Sequence, residues 1–585
     1  MPPRTDRPNG SPTEQQDVDE QTPLIPAGPS TVDGSIEAIP NDQLSNGKPK
    51  PRDDGHTAAN QTITLSRGTL TIVALGCLIF LQATNISLLT TTQSVIAQEL
   101  DAFERTSWFT SSYLIAMSAL SPLYGKISSV FSPRICIFFS SIIVAIGVLL
   151  SSVANSFEAF VAGRAFTGAG SAGIFTVSII IVLELTGSKR RGLGIGLLNS
   201  GYTIGVAVGA TAAGALLPHV GWRALFWMQA PVSIFAGSVL FFSIPTDFRA
   251  GKKDTSGFST LKRLGRLDYA GAMTLTASIV LLLFALSNPH SIPLLPILLS
   301  LIVLAIFLLN EIHLAHDPII PITLLKSRGL LLTCLGTVGY MMARWSVLFY
   351  APTYAIAVRQ WTPATAGSIL IPTNLGFALG GLLVGWLHIK RQGSFWLPSL
   401  TVYALFPLTL VALAFLSTSK SSPGLYVLVV FCNGFVTGAA LNYTLAHLLH
   451  LTPKSTHYVA TSLIATFRGF AGSFGSAIGG GLFSRTLFTS LTERFEQAGL
   501  KHTETLVRRL LGSPALVEHL RGEEKVVAIQ GYQDAVRVLF LAGAGLAVLM
   551  VFVQAGTGWK GAREEEMLED ERGQVAADRS GDEEA

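Results

Sequence analysis

Three arginines stand inside long apolar runs of this 585-residue chain: Arg164, Arg344 and Arg468. A guanidinium keeps its charge at physiological pH and offers five N–H donors in a rigid fork. A cation at membrane depth is costly, so such residues turn toward partners or a cavity rather than lipid. Two chemistries suit them: holding an anionic group, or gating a proton by pairing with a carboxylate. Arg164 lies about seven residues into its run, roughly 10 Å deep at ~1.5 Å per residue, too deep for easy snorkelling. The competing reading is a structural cation that satisfies backbone carbonyls and polar side chains. Arg468, Gly472, Ser476 and Gly480 recur every four residues, which puts Arg468 on a small-residue helix face. Arg344 is expected toward the outer boundary of its run.

Uncharged polar residues accompany them at comparable depth: Asn85, Tyr113, Asn199, Tyr202, Tyr350, Asn374, Asn433 and Asn442. Each alone fits a helix–helix hydrogen bond. As a set they outline a polar pathway for a small molecule in an apolar body. Other chemistries find no support. The glycine-rich stretches Gly376–Gly385 and Gly469–Gly481 lack the Lys-Ser/Thr ending of a phosphate loop, so an ion or solute gradient must do any driving. Cys77, Cys136, Cys334 and Cys432 sit in apolar runs without metal or redox spacing. His447, His450 and His457 are read as interfacial. The sequence predicts no enzyme, no metal and no cofactor, and a net charge of +4 does not imply nucleic acid as a partner.

The elements that must hold these residues are membrane helices. Hydrophobic residues make up 49% of the chain and charged ones 13%, against about 25% charged in soluble proteins. The predicted class is all-α and embedded in the lipid bilayer. A hydrocarbon core of ~30 Å needs about 20 apolar residues per helix. That criterion yields fourteen spans: 68–92, 107–126, 134–154, 157–184, 193–217, 224–245, 268–287, 292–312, 329–354, 363–387, 395–417, 424–449, 456–484 and 534–556. With the N-terminal tail in the cytosol, inner short loops carry sixteen Lys and Arg and outer ones four, which orients the chain with both termini cytosolic. Along span 5, Gly201, Gly205, Gly209 and Ala213 form a small-residue ladder suited to close helix approach.

Residues 1–67 are polar, rich in Pro, Ser and Gly, and predicted disordered. Within them Glu20-Gln21-Thr22-Pro23-Leu24-Ile25 fits an acidic dileucine sorting pattern, the kind read by adaptor complexes, although chance in a polar tail is the alternative. Residues 557–585 form an acidic cytosolic tail. Between the last two spans, 487–533 reads as an extracytoplasmic loop. Its Glu504–Leu520 part is either an amphipathic helix over the outer mouth or a solvated loop.

Several motifs carry a family likeness. Gly163-Arg164-Ala165-Phe166-Thr167-Gly168-Ala169-Gly170 resembles the fourth-helix motif of the major facilitator superfamily. Gly125-Lys126-Ile127-Ser128-Ser129-Val130-Phe131-Ser132-Pro133-Arg134 resembles its cytosolic-loop motif, and Gly201–Gly214 its fifth-helix antiporter motif. Trp222-Arg223, Leu267-Asp268-Tyr269-Ala270-Gly271 and His316-Asp317-Pro318-Ile319-Ile320-Pro321 are similar to features of the fourteen-helix drug:proton antiporter branch, which includes fungal vacuolar amino acid transporters. The resemblance implies two six-helix bundles, 68–245 and 329–556, with 246–328 supplying a loop, two inserted helices and a linker. The bundles would rock about a midplane site.

On this reading Asn85, Tyr113, Arg164, Tyr202, Tyr350, Asn374, Asn442 and Arg468 are the candidate substrate and coupling residues. Gly125, Lys126, Arg134, Gly201, Gly205, Gly209, Gly214 and Asp268 are the gate and motif residues, and the basic loops 125–134 and 388–393 are candidate inner gates. The chain departs from the pattern where Asn85 and Ser129 stand at positions usually held by aspartate. An asparagine binds by hydrogen bonds but does not titrate. The expected function is secondary transport of small organic solutes out of the cytosol against protons, with amino acids, including basic ones, entering the vacuole. The alternatives are drug or toxin efflux at the plasma membrane and a non-transporting nutrient sensor.

Overall fold

A computed structural model describes residues 65–185, 187–245, 268–288, 291–315, 326–387, 394–452, 457–500 and 504–559. The sorting segment with Glu20, Leu24 and Ile25, the loop 388–393, the side chains of Ser129 and Asn199, and the acidic tail beyond 559 lie outside that description. The described residues are helical, with no strand among them.

In chain order, α1 (Leu65–Ser87) and α2 (Leu89–Glu99) form one leg divided at Leu88. A short turn, Phe103–Arg105, leads to α3 (Ser107–Val130), then α4 (Pro133–Ser152) and α5 (Phe157–Leu185). Pro133 opens α4 where the missing N–H has no helical partner to lose. The long α6 (Gly187–Trp227) bends sharply at Gly221, whose φ of 74° and ψ of 165° an L side chain resists. The expected spans 193–217 and 224–245 therefore meet at a glycine hinge rather than a loop, and α7 (Gln229–Ser243) completes the second leg. Next come the pair α8 (Tyr269–Leu286) and α9 (Leu294–Leu309), the latter ending in a π-turn at Asn310–Leu314. The remainder is α10 (Arg328–Ala357), α11 (Pro363–Ser368), α12 (Leu370–Leu387), α13 (Trp396–Leu416), α14 (Pro423–Leu451), α15 (His457–Gln497), α16 (Glu504–Gly512) and α17 (Gly522–Ala555).

Each expected span falls on a helix. Eleven helices among the described residues are long and apolar enough to cross a membrane, three fewer than the fourteen expected. The other three have physical reasons. α7 has only 15 residues. α3 and α15 carry serines and glycines on the faces they turn to each other: Ser111 Oγ meets Ser476 Oγ at 3.2 Å, and Ser118 Oγ donates to Gly469 O at 2.8 Å. Helices that line an internal seam need not be greasy all round.

α1 and α3–α7 pack together, as do α10–α15 and α17. α8 leans on α3 and α15 from outside, α9 packs on α8, and only 17% of the apolar stretch of α9 is buried. Reciprocal bonds between Ser278 and Ser300 (Ser278 Oγ to Ser300 O 3.0 Å, Ser300 Oγ to Ser278 O 2.8 Å) join this pair. Asp268 caps α8 by accepting from Gly271 N at 2.7 Å, and its other oxygen accepts from Asn310 Nδ2 at 2.7 Å. Asp268 thus pins the end of α8 to the end of α9.

The stretch 487–533 is shorter as a loop than expected. α15 continues to Gln497 and α17 begins at Gly522. Between them α16 and the turn Pro514–His519 bury Val507, Leu510, Leu511 and Val517. The amphipathic-helix alternative is the one adopted, because those apolar residues find Leu487, Leu491 and Phe495 to cover.

Candidate functional site

Arg164 comes from about two turns into α5 and has no accessible surface. Its Nε donates to Phe109 O at 2.9 Å, and its Nη1 donates to Asn85 Oδ1. Its guanidinium lies over Tyr113 (4.6 Å) and near Phe226 (5.8 Å). Asn85 passes the chain on, with Nδ2 donating to Gln229 Oε1 at 2.8 Å and Gln229 Nε2 donating to Leu225 O at 2.7 Å. Three of the sequence-derived candidates, Asn85, Tyr113 and Arg164, therefore form one knot that joins α1, α3, α5 and α7. Gln229 belongs to it and was missed, although an isolated glutamine in an apolar span was the available signal.

A second constellation lies in the other half. Arg344 is in the middle of α10 and is 4% exposed. Its Nη1 reaches Thr373 Oγ1 at 3.5 Å and its Nη2 reaches Asn374 Oδ1 at 3.3 Å. Phe377 offers its ring face at 4.5 Å from Arg344 and 6.0 Å from Arg468. Arg468 is half-buried on α15 and within electrostatic reach of Arg344, of Tyr340 and of Tyr202. Tyr202 comes from α6 and packs with Trp345 of α10, so the constellation spans both groups of helices. Arg344 was singled out as an intramembrane cation but not placed among the substrate and coupling residues, and Tyr340, Trp345 and Phe377 were not singled out.

The remaining candidates sit apart from both groups. Tyr350 packs against Phe483 with the rings tilted and their centroids 4.4 Å apart. Asn442 Nδ2 donates to Gly438 O at 3.3 Å within α14. Gly205 and Gly209 press against α1: a Cβ on Gly205 would stand 2.8 Å from Phe80 O, and one on Gly209 2.7 Å from Thr84 Cα. Gly201 has open space, and Gly125 meets only Thr176 at 3.8 Å. Lys126 is half-buried near the end of α3, and Arg134 lies 5.1 Å from the Phe241 ring. His447, read as interfacial, is fully buried and bonded to Thr557 Oγ1 at 3.0 Å.

One end of the bundle is closed, the end that holds the Phe103–Arg105 turn. A Cβ on Gly214 would stand 2.8 Å from Ala364 N, and one on Gly367 2.8 Å from Ala210 O, so α6 and α11 touch there. Arg508 of α16 pairs with Glu104 at 3.1 Å and Asp101 at 3.6 Å. Trp222 and Arg223 both donate to Glu99, the latter at 2.6 Å, and Arg223 also donates to Ala154 O at 2.9 Å. Among the described residues, the ion pairs Arg105–Glu158, Arg223–Glu99, Arg494–Asp534 and those of Arg508 lie apart from both arginine constellations.

Known proteins share this sequence and shape. Residues 75–476 match the model of the Major Facilitator Superfamily. The chain is 28% identical over 498 residues to the MFS-type transporter clz4 of Cochliobolus lunatus, covering 82% of this chain and 84% of that one. It is 26% identical over 470 residues to the multidrug resistance protein fnx1 of Schizosaccharomyces pombe, covering 78% and 86%. It is 25% identical over 462 residues to the vacuolar basic amino acid transporter 2 of Saccharomyces cerevisiae, covering 76% and 96%. In fold it is similar to a bacterial homologue of the human lysosomal transporter Spinster in an inward-facing, occupied conformation, with a TM-score of 0.60 at 13% identity, covering 84% of this chain and 97% of that one. A family model that takes in most of the helical bundle and both arginine constellations establishes the kinship: this chain belongs to the major facilitator superfamily of membrane transporters.

Proposed function

We propose that this protein is a secondary transporter that moves small organic solutes out of the cytosol against protons, with amino acids entering the vacuole as the leading case. The observation that carries this reading is the charged, aromatic-lined centre in which Arg344 of α10 and Arg468 of α15 both approach Phe377, with Tyr202 of α6 and Trp345 of α10 packed against the same hydrophobic clusters beside it. Such a centre between two helix groups is where a rocking carrier needs its site. Closure at the end that holds the Phe103–Arg105 turn, by the α6–α11 contacts and the Arg508 pairs, fits one stage of alternating access.

Proton coupling follows from the branch resemblance rather than from a carboxylate, because Asn85 stands where span 1 would carry one. Vesicles containing the purified chain, loaded with an acidic interior and offered a labelled amino acid panel, are expected to accumulate solute, and a protonophore is expected to abolish the accumulation. Flux that ignores the gradient would remove the antiport half of the reading. No flux at all would favour a sensor.

A second reading, efflux at the plasma membrane, is favoured by the relative named as a multidrug resistance protein. The segment Glu20–Ile25 decides between them. Leu24→Ala with Ile25→Ala is expected to shift a fluorescently tagged chain from the vacuolar to the plasma membrane. Identical plasma-membrane staining of both forms would reject the vacuolar assignment.

A further inference from the structure

We propose that the centre is a carboxylate site in which Arg344, Arg468 and the Tyr340 hydroxyl hold the anionic end of the solute and Phe377, Trp345 and Tyr202 enclose its apolar body. This rests on the transport reading above and gives it a solute class: organic anions and zwitterions with an apolar body, as opposed to cations.

Three independent features of the centre converge on it. The first is how Arg344 is satisfied. A charge taken out of water calls for an opposite charge or short hydrogen bonds. Arg344 is 4% exposed, yet its described polar partners are a neutral hydroxyl at 3.5 Å and a neutral amide oxygen at 3.3 Å. Charge-assisted bonds from a guanidinium to a carboxylate run at about 2.7–2.9 Å and are roughly twice as strong as neutral ones.

The second feature is like charge. Arg344 and Arg468, from different helices, both approach Phe377, at 4.5 Å and 6.0 Å, and act on each other electrostatically. Holding two cations close in a low dielectric is unfavourable, and an anion between them reverses the sign of the interaction.

The third feature is a hydroxyl. Tyr340 is 2% exposed and its Oη has no hydrogen-bond partner among the described residues, although it lies within electrostatic reach of both arginines. Nearly all buried polar groups are bonded, so one left open beside two cations marks a place for an acceptor. A phenol donates readily to a carboxylate oxygen.

The walls suit an apolar body. Trp345 stacks on Phe349 with centroids 5.4 Å apart, and its indole lies against Gly472, one turn from Arg468 on α15. Arg164 is set apart from this centre: it has no accessible surface, and its Nε and Nη1 are engaged by Phe109 O and Asn85 Oδ1, with Nη2 left without a partner among the described residues.

The test uses the full chain, purified in nanodiscs, and two probes with one apolar body and opposite charge: 4-phenylbutyrate and 4-phenylbutylamine. Titration calorimetry is expected to show saturable binding of the carboxylate and none of the amine. Arg344→Gln is expected to weaken carboxylate binding by about ten- to a hundredfold, the range for a lost hydrogen bond to a charged group. Arg344→Lys keeps the charge without the fork and should fall between. Where Arg344→Gln is not recovered as folded protein, Arg468→Gln reads the same site from another helix. Preference for the amine, no saturable carboxylate binding, or wild-type carboxylate affinity in folded Arg344→Gln or Arg468→Gln would overturn the inference. Arginine-dependent carboxylate binding without flux in vesicles would support the site while rejecting the transport reading. Flux of the amine alone would do the reverse.

Discussion

Arg164→Ala is expected to remove most of the folded protein from the membrane rather than merely to slow it. The guanidinium is a fully buried node whose Nε and Nη1 serve two other helices, through Phe109 O and Asn85 Oδ1. Its loss strands the Asn85 oxygen, at about 1–3 kcal/mol for an unsatisfied buried group. It also leaves a void beside Tyr113 and Phe226, and truncating large buried side chains costs about 3–5 kcal/mol. Against a typical stability of about 5–15 kcal/mol, that sum is severe. Arg164→Lys restores one contact at most, because an ammonium lacks the planar fork. Asn85→Asp, by contrast, sets a carboxylate against Nη1 and is expected to fold. Size-exclusion profiles and thermal midpoints in mild detergent provide the measurement. A monodisperse Arg164→Ala with a wild-type midpoint and no flux would assign Arg164 to transport instead of architecture.

Gly434→Val is expected to be as damaging, by a different route. α12 and α14 interlock through glycines on both sides. Gly376 and Gly380 receive the backbone at Phe431 and Phe435, while Gly434 and Gly438 receive that at Thr373 and Phe377. A Cβ on Gly434 would stand 2.8 Å from Thr373 C and 3.1 Å from its Cα, and backbone cannot rotate away. Overpacking of this kind costs about 1–3 kcal/mol for small insertions and more where nothing yields. The residue displaced, Thr373, contacts Arg344, and Phe377, which faces the next glycine of the seam at Gly438, contacts it too. Gly434→Ala is therefore expected to fold in part and lose flux several-fold, while Gly434→Val is lost from the membrane. Gly385→Ala, on the same α12 with nothing within 4 Å of its Cβ, is the control and should express at wild-type level. Equal expression and flux for Gly434→Ala and Gly385→Ala would reject this account of the α12–α14 seam.

The two glycine runs illustrate how much a sequence conveys. Spacing by four at Gly376/Gly380 and Gly434/Gly438 is legible as a close-packing pattern, and the missing Lys-Ser/Thr ending excludes a phosphate loop. Which helix fills each notch is not legible, because every four-residue glycine face looks alike until a partner is chosen. Asp268 is similar. Its place before an apolar run reads as a cap, but its bond to Asn310, 42 residues away, depends on how α8 and α9 meet.

The sequence by itself determined the all-helical membrane class, the position of every expected span on a helix, and the presence of three arginines in an apolar body. These are local properties: hydrophobic length, composition and the cost of charge in lipid are readable within about 20 residues. Only the tertiary structure decided which arginine does what. Arg164, the most prominent in sequence, is tied up by Asn85, 79 residues away, and through it by Gln229, 144 residues from Asn85. Arg344, which sequence depth had put near a boundary, meets Thr373, Asn374 and Phe377 in the middle of α10 and shares its field with Arg468. Depth along one helix is a count of residues. The face a side chain presents, and the neighbour it finds there, are set by contacts between helices distant in sequence, and no local pattern encodes them.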